Sequence, residues 1–411
     1  MLSDEIIDKV IERLVRRIEE GNIYTLKKIG NTLKEIKDLT PSDTHRLVQI
    51  INSGGDYDKI LKKLSEITKL NEKEIYKIFE EVAKKDYQFA EKFYKYRNQK
   101  YIPWDNNVLL QNQVRAIAEL TANEYRNISR TLAFSKKVNG KVVYADIGYV
   151  YQDLIDRAVM SVGQGKEIFE DQFRQTVKEL ARSGIRTVDW ESGVSRRLDS
   201  AVRMNLKQGL RNLHNQMQDI IGEEIDSDGV EISVHNNPAP DHEEAQGRQF
   251  KKEEYDKLQE TGIAKDINGR EINLHRKLKK KKGRALSFRP ISFYNCYHYV
   301  FSVIIGVNEP QYSEEQLKEI INNNEKGFDF EGNHYTMYGG EQLQRKIETE
   351  IRKAKDEQII GVASGDKKII ADSEKRIDLL LSKYMKLSKE SGLPTKLERL
   401  QVGGYKRIKL Q

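Results

Sequence analysis

The chain of 411 residues contains one cysteine, seven prolines and no long apolar run. A single cysteine excludes an intramolecular disulfide framework and is typical of a protein made in a reducing compartment. The longest apolar stretch, Tyr299 to Val307, is too short to cross a bilayer, so no membrane-spanning segment is expected. The N-terminus lacks a basic segment followed by an apolar one, and no signal peptide is expected.

Motifs of common enzyme classes are missing as well. The sequence contains no Walker-type phosphate loop, no nucleophile elbow and no dinucleotide-binding glycine fingerprint, so no catalytic residue is assigned. Hydrophobic residues make up 37% and charged residues 33%, a balance typical of extended helices with large solvated faces. The net charge of +7 is a small difference between 71 basic and 64 acidic residues, which permits contact with nucleic acid without establishing it.

Apolar periodicity predicts a mainly α protein with a small α+β module. Apolar residues at three- and four-residue steps predict helices in most of the chain, and Gly21-Asn22 is predicted to end the first of them. Further helix boundaries are predicted at Thr40 to Asp43 and at Ser53 to Gly55. The prediction has four regions: a helical N-terminal domain at 1–100, a long-helix region at 101–224, the α+β module at 225–311, and a C-terminal helical hairpin with a basic tail at 312–411.

Strands are expected at three places. Residues 230–234 alternate between apolar and polar, and residues 299–305 are rich in β-branched and aromatic side chains. Asn139-Gly140 is a two-residue hairpin signal. In the C-terminal region, Gly365 suits the end of one helix and Asp366 the cap of the next, which predicts an antiparallel helical hairpin.

Two polar segments carry the residues best suited to metal binding or proton transfer. The first island is residues 235–247, and the second island is residues 295–298. Because Cys296 and His298 are two positions apart, they would share one face of an extended segment. Together with two histidines of the first island they would make a CysHis3 zinc shell. The alternative is that these side chains hydrogen-bond to loop backbone and fix the strand ends. The candidate ligands are His235, His242, Cys296 and His298.

A nuclease interpretation would assign a histidine of the first island as a base beside a metal. No carboxylate and histidine set at a persuasive spacing supports it. The histidines at 45, 214, 275 and 334 are expected to be surface or packing residues.

Between the islands lies a lysine run, residues 276–284, with seven cations in nine residues. Such a run repels itself and predicts an exposed loop. It could contact phosphates independently of base sequence, or it could be only a solvated surface. The candidate phosphate contacts are Arg276, Lys277, Lys279, Lys280, Lys281, Lys282 and Arg284.

The two islands together resemble one family. The first island contains Pro240, Asp241, Gln246 and Gly247, and the second begins with Asn295. With flanking segments at 189–193, 335–346 and 391–394, these motifs resemble phage minor capsid proteins of the minor capsid protein 2 type, related to MuF-type head-morphogenesis proteins. The resemblance covers roughly residues 150–411.

The resemblance implies a structural virion component of a tailed phage or prophage, located in the capsid interior or at the portal vertex and present in the host cytoplasm during assembly. Its implied partners are portal and capsid proteins, and it favours sequence-independent contact of the lysine run with DNA during packaging or ejection. Two other classes stay open: a metal-dependent nuclease or effector domain carried in the virion, and a nucleic-acid-binding regulator, which no recognition-helix motif supports.

Overall fold

A computed structural model describes most of the chain. The described residues are 4–37, 57–138, 141–147, 149–150, 153, 166–189, 194–278, 288–293, 296, 298–403 and 405–406. Helices dominate this part and the strands are short and antiparallel, which confirms a mainly α protein with small β modules. None of its helices combines the length and the apolar composition needed to cross a membrane.

The helices carry apolar residues on one face, as the periodicity predicted. In the first helix Ile11, Leu14, Val15 and Ile18 are all buried. The helices are α1 (Asp4–Lys37), α2 (Tyr57–Tyr96), α3 (Val108–Arg130), α4 (Lys166–Ser183), α5 (Leu198–Glu224), α6 (Lys252–Thr261), α7 (Glu314–Lys326), α8 (Met337–Ser364) and α9 (Lys367–Ser391).

The prediction that Gly21-Asn22 ends the first helix is wrong, because α1 continues through both residues. A Cβ atom on Gly21 would lie 2.9 Å from a methyl of Leu64, so glycine permits close packing of α1 on α2. The Asn22 amide donates to Asp356 and its oxygen accepts from the backbone of Ile185. Tertiary contacts therefore keep the helix continuous through two residues that by themselves favour a helix end. The boundaries predicted at 40–43 and 53–55 lie outside the described residues.

One hydrophobic core joins distant parts of the sequence. It contains buried residues of α1 to α5, and also Ile359 and Ile360 of α8 and Ile369 of α9. The N-terminal helices thus share their core with the C-terminal hairpin. The division at 100, 224 and 311 remains a prediction about units of folding.

The strands form small antiparallel sheets. The first sheet has the order β2-β1-β3-β4, and β1 and β2 pair with Val138 opposite Lys141, as expected for a two-residue connection. Residues 139–140 themselves lie outside the described part. The strands of this sheet are β1 (Leu132–Val138), β2 (Lys141–Asp146), β3 (Arg186–Val188) and β4 (Ser195–Arg197).

A second sheet, β6-β5-β9, organises the α+β module. Its strands are β5 (Gly229–Ile232), β6 (Gln249–Lys251) and β9 (Val300–Val303), which confirms the two predicted strands at 230–234 and 299–305. Val230, Ile232, Phe250 and Val300 belong to a separate small core. On the other face of β5, Glu231 is also buried and accepts hydrogen bonds from Gln249 and from a backbone amide. The strand is therefore covered on both faces.

The C-terminal hairpin confirms the predicted turn. Gly365 is left-handed at the end of α8, and the Asp366 carboxylate accepts from the backbone amides of Lys368 and Ile369 at the start of α9. The remaining strands form two hairpins: β7 (Ile263–Lys265) with β8 (Glu271–Asn273), and β10 (Phe328–Phe330) with β11 (Asn333–Tyr335).

Candidate functional site

The two islands meet at one end of the central sheet. Strands β5 and β9 are antiparallel with Ile232 opposite Val300, so the segment that follows β5 lies beside the segment that precedes β9. Ser233 and Tyr299 extend the pairing by a backbone hydrogen bond of 2.9 Å. This register brings the candidate ligands together, and the ligand atoms of His242, Cys296 and His298 all lie within 4.8 Å of one another.

The first island is a compact turn that its motif residues hold in place. The Asp241 carboxylate binds Arg289 through two hydrogen bonds of 2.8 Å, and this guanidinium holds the Asp241 pKa below its usual range even though burial raises it. Gly247 has a positive φ of 69°, and a Cβ atom there would lie 2.4 Å from Leu317. Pro240 is exposed, and Asn295 lies outside the described residues.

Hydrogen bonds to Gln246 and to the carbonyl of Arg289 define the tautomers of His298 and His242. Gln246 Oε1 accepts from the backbone N–H of His235 at 2.9 Å, so the atom that faces His298 Nε2 at 3.3 Å is an acceptor. His242 Nε2 faces the carbonyl oxygen of Arg289 at 2.7 Å. Both Nε2 atoms must therefore carry the proton, which leaves both Nδ1 atoms free of one in the neutral rings.

The two Nδ1 atoms converge on one sulfur. Cys296 Sγ lies 3.4 Å from His242 Nδ1 and 3.4 Å from His298 Nδ1. The same sulfur receives backbone N–H groups from Ser292 at 3.3 Å and from His298 at 3.4 Å. Burial raises the Cys296 pKa, but the hydrogen bond with His242 and the backbone N–H of His298 outweigh burial, and the pKa is lowered. Burial and neighbouring cations keep the pKa of His298 well below its ordinary value.

We call His242, Cys296 and His298 the cluster of the two islands. His235, the fourth candidate ligand, lies next to this cluster and is half-buried. Its ring centroid is 4.8 Å from that of His298, and the His242 and His298 centroids are 5.3 Å apart. Of the other histidines, His214 is a packing residue as predicted, because it bonds Asp86 of α2 and the carbonyl of Val300. His45 lies outside the described residues.

The cluster lines a cavity of about 560 Å³ between the module, α5 and the start of α8. Six of the lining residues are basic and one, Glu341, is acidic. Arg289 pairs with the carboxylate of Asp241, and Arg345 pairs with that of Glu341. The wall is nevertheless richer in cations than the chain as a whole. The basic lining residues are Lys207, Arg211, Arg289, Arg345, Lys396 and Arg399.

The lysine run is only partly described. Arg276 forms an ion pair with Glu244 of the first island, and Lys277 forms ion pairs with Glu243 and with Glu325. These two candidate phosphate contacts are therefore engaged by carboxylates, and they tie the base of the run to the first island. Residues 279–287, which include the other five candidates, lie outside the described part.

Sequence reasoning missed a second buried polar cluster, between α1, α5 and α8. The Asp199 carboxylate lies 3.4 Å from Arg197 and 3.1 Å from Arg352, and Arg197 also binds Asp356 at 2.8 Å. One signal was available, since Glu12 and Glu19 stand beside the apolar stripe of α1. We call this set the ionic network: Glu12, Glu19, Arg197, Asp199, Arg203, Arg352 and Asp356.

Comparison with known proteins was consistent with the motifs of the two islands. The sequence model of the family described as phage minor capsid protein 2 matches residues 2–386. The match extends the resemblance from residues 150–411 to the N-terminal helices, which the motifs covered least. Comparison with curated proteins and with solved structures gave no match. Since nearly the whole chain is matched, the protein belongs to the phage minor capsid protein 2 family.

Proposed function

We propose that this capsid protein acts at the portal vertex of a tailed phage or prophage, where it takes part in head assembly and contacts packaged DNA. The observation that carries the proposal is the family match over residues 2–386, which gives the chain a structural capsid role and associates it with the virion and its structural proteins. The resemblance of the islands to MuF-type head-morphogenesis proteins supports the vertex as the location. A cryo-EM map of the capsid vertex tests it, because density for the chain only elsewhere in the capsid would contradict it.

The helical N-terminal domain at 1–100, together with the adjoining α3, is the proposed contact with portal or capsid protein. Leu109 and Leu120 of α3 are 73% and 66% exposed, and their spacing of eleven residues places them on one helix face. Phe89 and Leu70 of α2 are also more than half exposed. Apolar side chains on helix faces suit packing against another helical protein.

Point substitutions test this contact better than removal of residues 1–100, because those residues supply part of the shared core. We expect Leu109→Ser with Leu120→Ser to reduce capture of the portal protein by at least tenfold in a pull-down. The matched control is Leu379→Ser on α9, where the leucine is 71% exposed. Equal capture by the wild type and the double variant would remove α3 from the interface.

The lysine run is the proposed contact with DNA. Each phosphate contact adds about 0.9 to the slope of log affinity against log salt. Replacing Lys279, Lys280, Lys281 and Lys282 with glutamine should therefore weaken binding to unrelated DNA sequences by similar factors and flatten the slope by up to about 3.6. Unchanged affinity and slope would make the run a solvated surface.

A control with the same loss of charge separates local contact from net charge. Four exposed lysines of α9 serve this purpose when replaced with glutamine, and this variant should keep the wild-type slope. If both variants lose the same affinity, general electrostatic attraction and not the lysine run explains DNA binding. The control residues are Lys367, Lys368, Lys375 and Lys389.

One observation favours a second candidate function, a metal-dependent nuclease or effector activity carried in the virion. Three side chains suited to metal binding line the cation-rich cavity. Plasmid nicking by the purified protein in the presence of zinc, manganese or magnesium tests this candidate, with Cys296→Ser as the control. Nicking that persists in the Cys296→Ser protein would come from a contaminant or from another site.

A further inference from the structure

We propose that His242, Cys296 and His298 bind a structural zinc ion, with His235 as the fourth ligand. The ion would join the first island to the second island and so hold the end of the central sheet together. The proposal rests on the geometry of the cluster and stands apart from the location of the protein in the virion.

The proton positions on the two histidines leave one ring nitrogen of the cluster without a hydrogen-bond donor. Each neutral ring carries its proton on Nε2, because Nε2 faces an acceptor oxygen in both His242 and His298. Both Nδ1 lone pairs then point at the sulfur of Cys296. A thiol has one proton and can satisfy one of them, so the other Nδ1 atom would be a buried acceptor without a donor. All three side chains are at most 2% exposed, so little of their surface is open to water in the cavity that they line.

An imidazolium and thiolate pair does not resolve this conflict. A doubly protonated His242 could donate to the sulfur, but the Nδ1 lone pair of a neutral His298 would still face the negative thiolate. Protonating both rings would place two cations together in the module interior. A metal cation satisfies one thiolate and two lone pairs at once.

The distances agree with a metal shell. Zinc bonds of about 2.3 Å to sulfur and 2.0–2.1 Å to nitrogen in a tetrahedron place sulfur and nitrogen about 3.5 Å apart. Both distances from Sγ to Nδ1 are 3.4 Å. Thiolate with imidazole is a ligand set that suits zinc.

The surrounding hydrogen bonds are those expected around metal ligands. Ligating histidines donate their second N–H to a carbonyl or carboxylate, which orients the ring. Here His242 donates to the Arg289 carbonyl and His298 donates to Gln246. Gln246 also accepts from the backbone of His235, so one side chain positions two of the proposed ligands. The backbone amides of Ser292 and His298 donate to the sulfur.

His235 is assigned as the fourth ligand because its ring lies against that of His298, with centroids 4.8 Å apart, and because it lines the same cavity as the other three residues. A shell of four protein ligands is closed and structural, whereas three ligands and a solvent position would be typical of a catalytic zinc. His242 and Cys296 are 54 residues apart and the lysine run lies between them, so the ion would close that loop at its base.

The test uses the full-length protein expressed with added zinc. We expect one zinc per chain by elemental analysis in the wild type and in His334→Asn, a control on an exposed histidine of β11. Cys296→Ser and His242→Asn should each retain less than a tenth of that amount. A folded wild-type protein without stoichiometric zinc would overturn the proposal.

Cobalt substitution tests the ligand set by spectroscopy, and its wild-type arm does not depend on the folding of a variant. Wild-type protein stripped of metal and loaded with Co²⁺ should show a thiolate-to-cobalt charge-transfer band and the strong visible bands of four-coordinate cobalt. In His235→Asn the charge-transfer band should remain while the visible bands change and affinity falls by at least tenfold. Visible bands identical to wild type would remove His235 from the shell, and absence of the charge-transfer band in wild type would overturn the site.

Discussion

Two buried polar clusters of this protein differ in how their polar and charged groups are paired. In the ionic network, the arginines lie beside carboxylates: Asp199 lies between Arg197 and Arg352, and Arg203 binds Glu12. In the cluster of the two islands, three neutral or soft side chains converge, and their hydrogen-bonding groups cannot all be satisfied by one another. The charges of the first arrangement are paired within the chain, whereas the second would be completed by the proposed zinc ion. By this contrast, the ionic network stabilises the packing of the helices, and the cluster of the two islands is the proposed binding site.

The largest effect is expected where the ionic network stabilises the packing of the helices. Asp199→Asn leaves Arg197 and Arg352 without their shared counter-charge, and breaking a buried ion pair by removing one partner costs about 3–5 kcal/mol. We expect a large fall in the urea midpoint and in the free energy of unfolding. Asp372→Asn is the matched control, because its pair with Lys178 is 45% and 33% exposed and such pairs contribute about 0–1 kcal/mol. Similar losses from both substitutions would contradict the distinction.

Glu19 is a network carboxyl whose raised pKa favours the protonated form in the folded protein at neutral pH. Burial, followed by the nearby Asp199, raises the pKa of Glu19 to about 8. The folded state then binds more protons than the unfolded state between pH 4.5 and 8, so stability falls as pH rises through that window. The slope of about 1.4 kcal/mol per pH unit gives a loss of roughly 2–3 kcal/mol between pH 5 and pH 7.

Denaturation of wild type and Glu19→Gln over this pH range measures the contribution. The amide cannot ionise, so the stability of the variant should lose this part of its pH dependence. Relative to the wild type, the variant should become more stable as the pH rises toward 8. Glu20→Gln, on the exposed face of α1, should retain the wild-type dependence. A Glu19→Gln protein with the wild-type slope would place the titration elsewhere.

The smallest effect concerns the cluster of the two islands. Gln246→Met keeps a side chain of similar length and removes the acceptor that orients His298 and the backbone of His235. Loss of such a partner lowers metal affinity by about 10- to 100-fold, or about 1.4–2.7 kcal/mol. Competition with a chelator measures the change. Gln342→Met, at a glutamine that lines the cavity outside the cluster, is the control. Unchanged zinc affinity in Gln246→Met would show that Gln246 only supports the loop.

Local sequence determined many elements of the fold. The apolar stripe of α1, the Gly365 and Asp366 caps of the hairpin, and the strands at β5 and β9 depend on residues close in the chain, so their patterns could be interpreted directly. The two islands were also recognisable as a pair, because their histidines and the single cysteine differ from the charged helical sequence that makes up most of the chain. Their spacing supported a shared site and did not choose between zinc and backbone hydrogen bonding.

Tertiary structure alone decided the remaining features. Gly21-Asn22 has the local character of a helix end, but packing on Leu64 and bonds to Asp356 and Ile185 keep α1 continuous. The pairing within the ionic network could not be predicted, because its charges come from helices far apart in sequence. Glu12 and Glu19 beside the apolar stripe of α1 suggest buried charge but do not identify their partners. In the cluster, the sequence by itself supplied the ligand types. Only the fold decided that Gln246 and the Arg289 carbonyl would orient both histidines, since hydrogen-bond direction depends on backbone positions that no local pattern encodes.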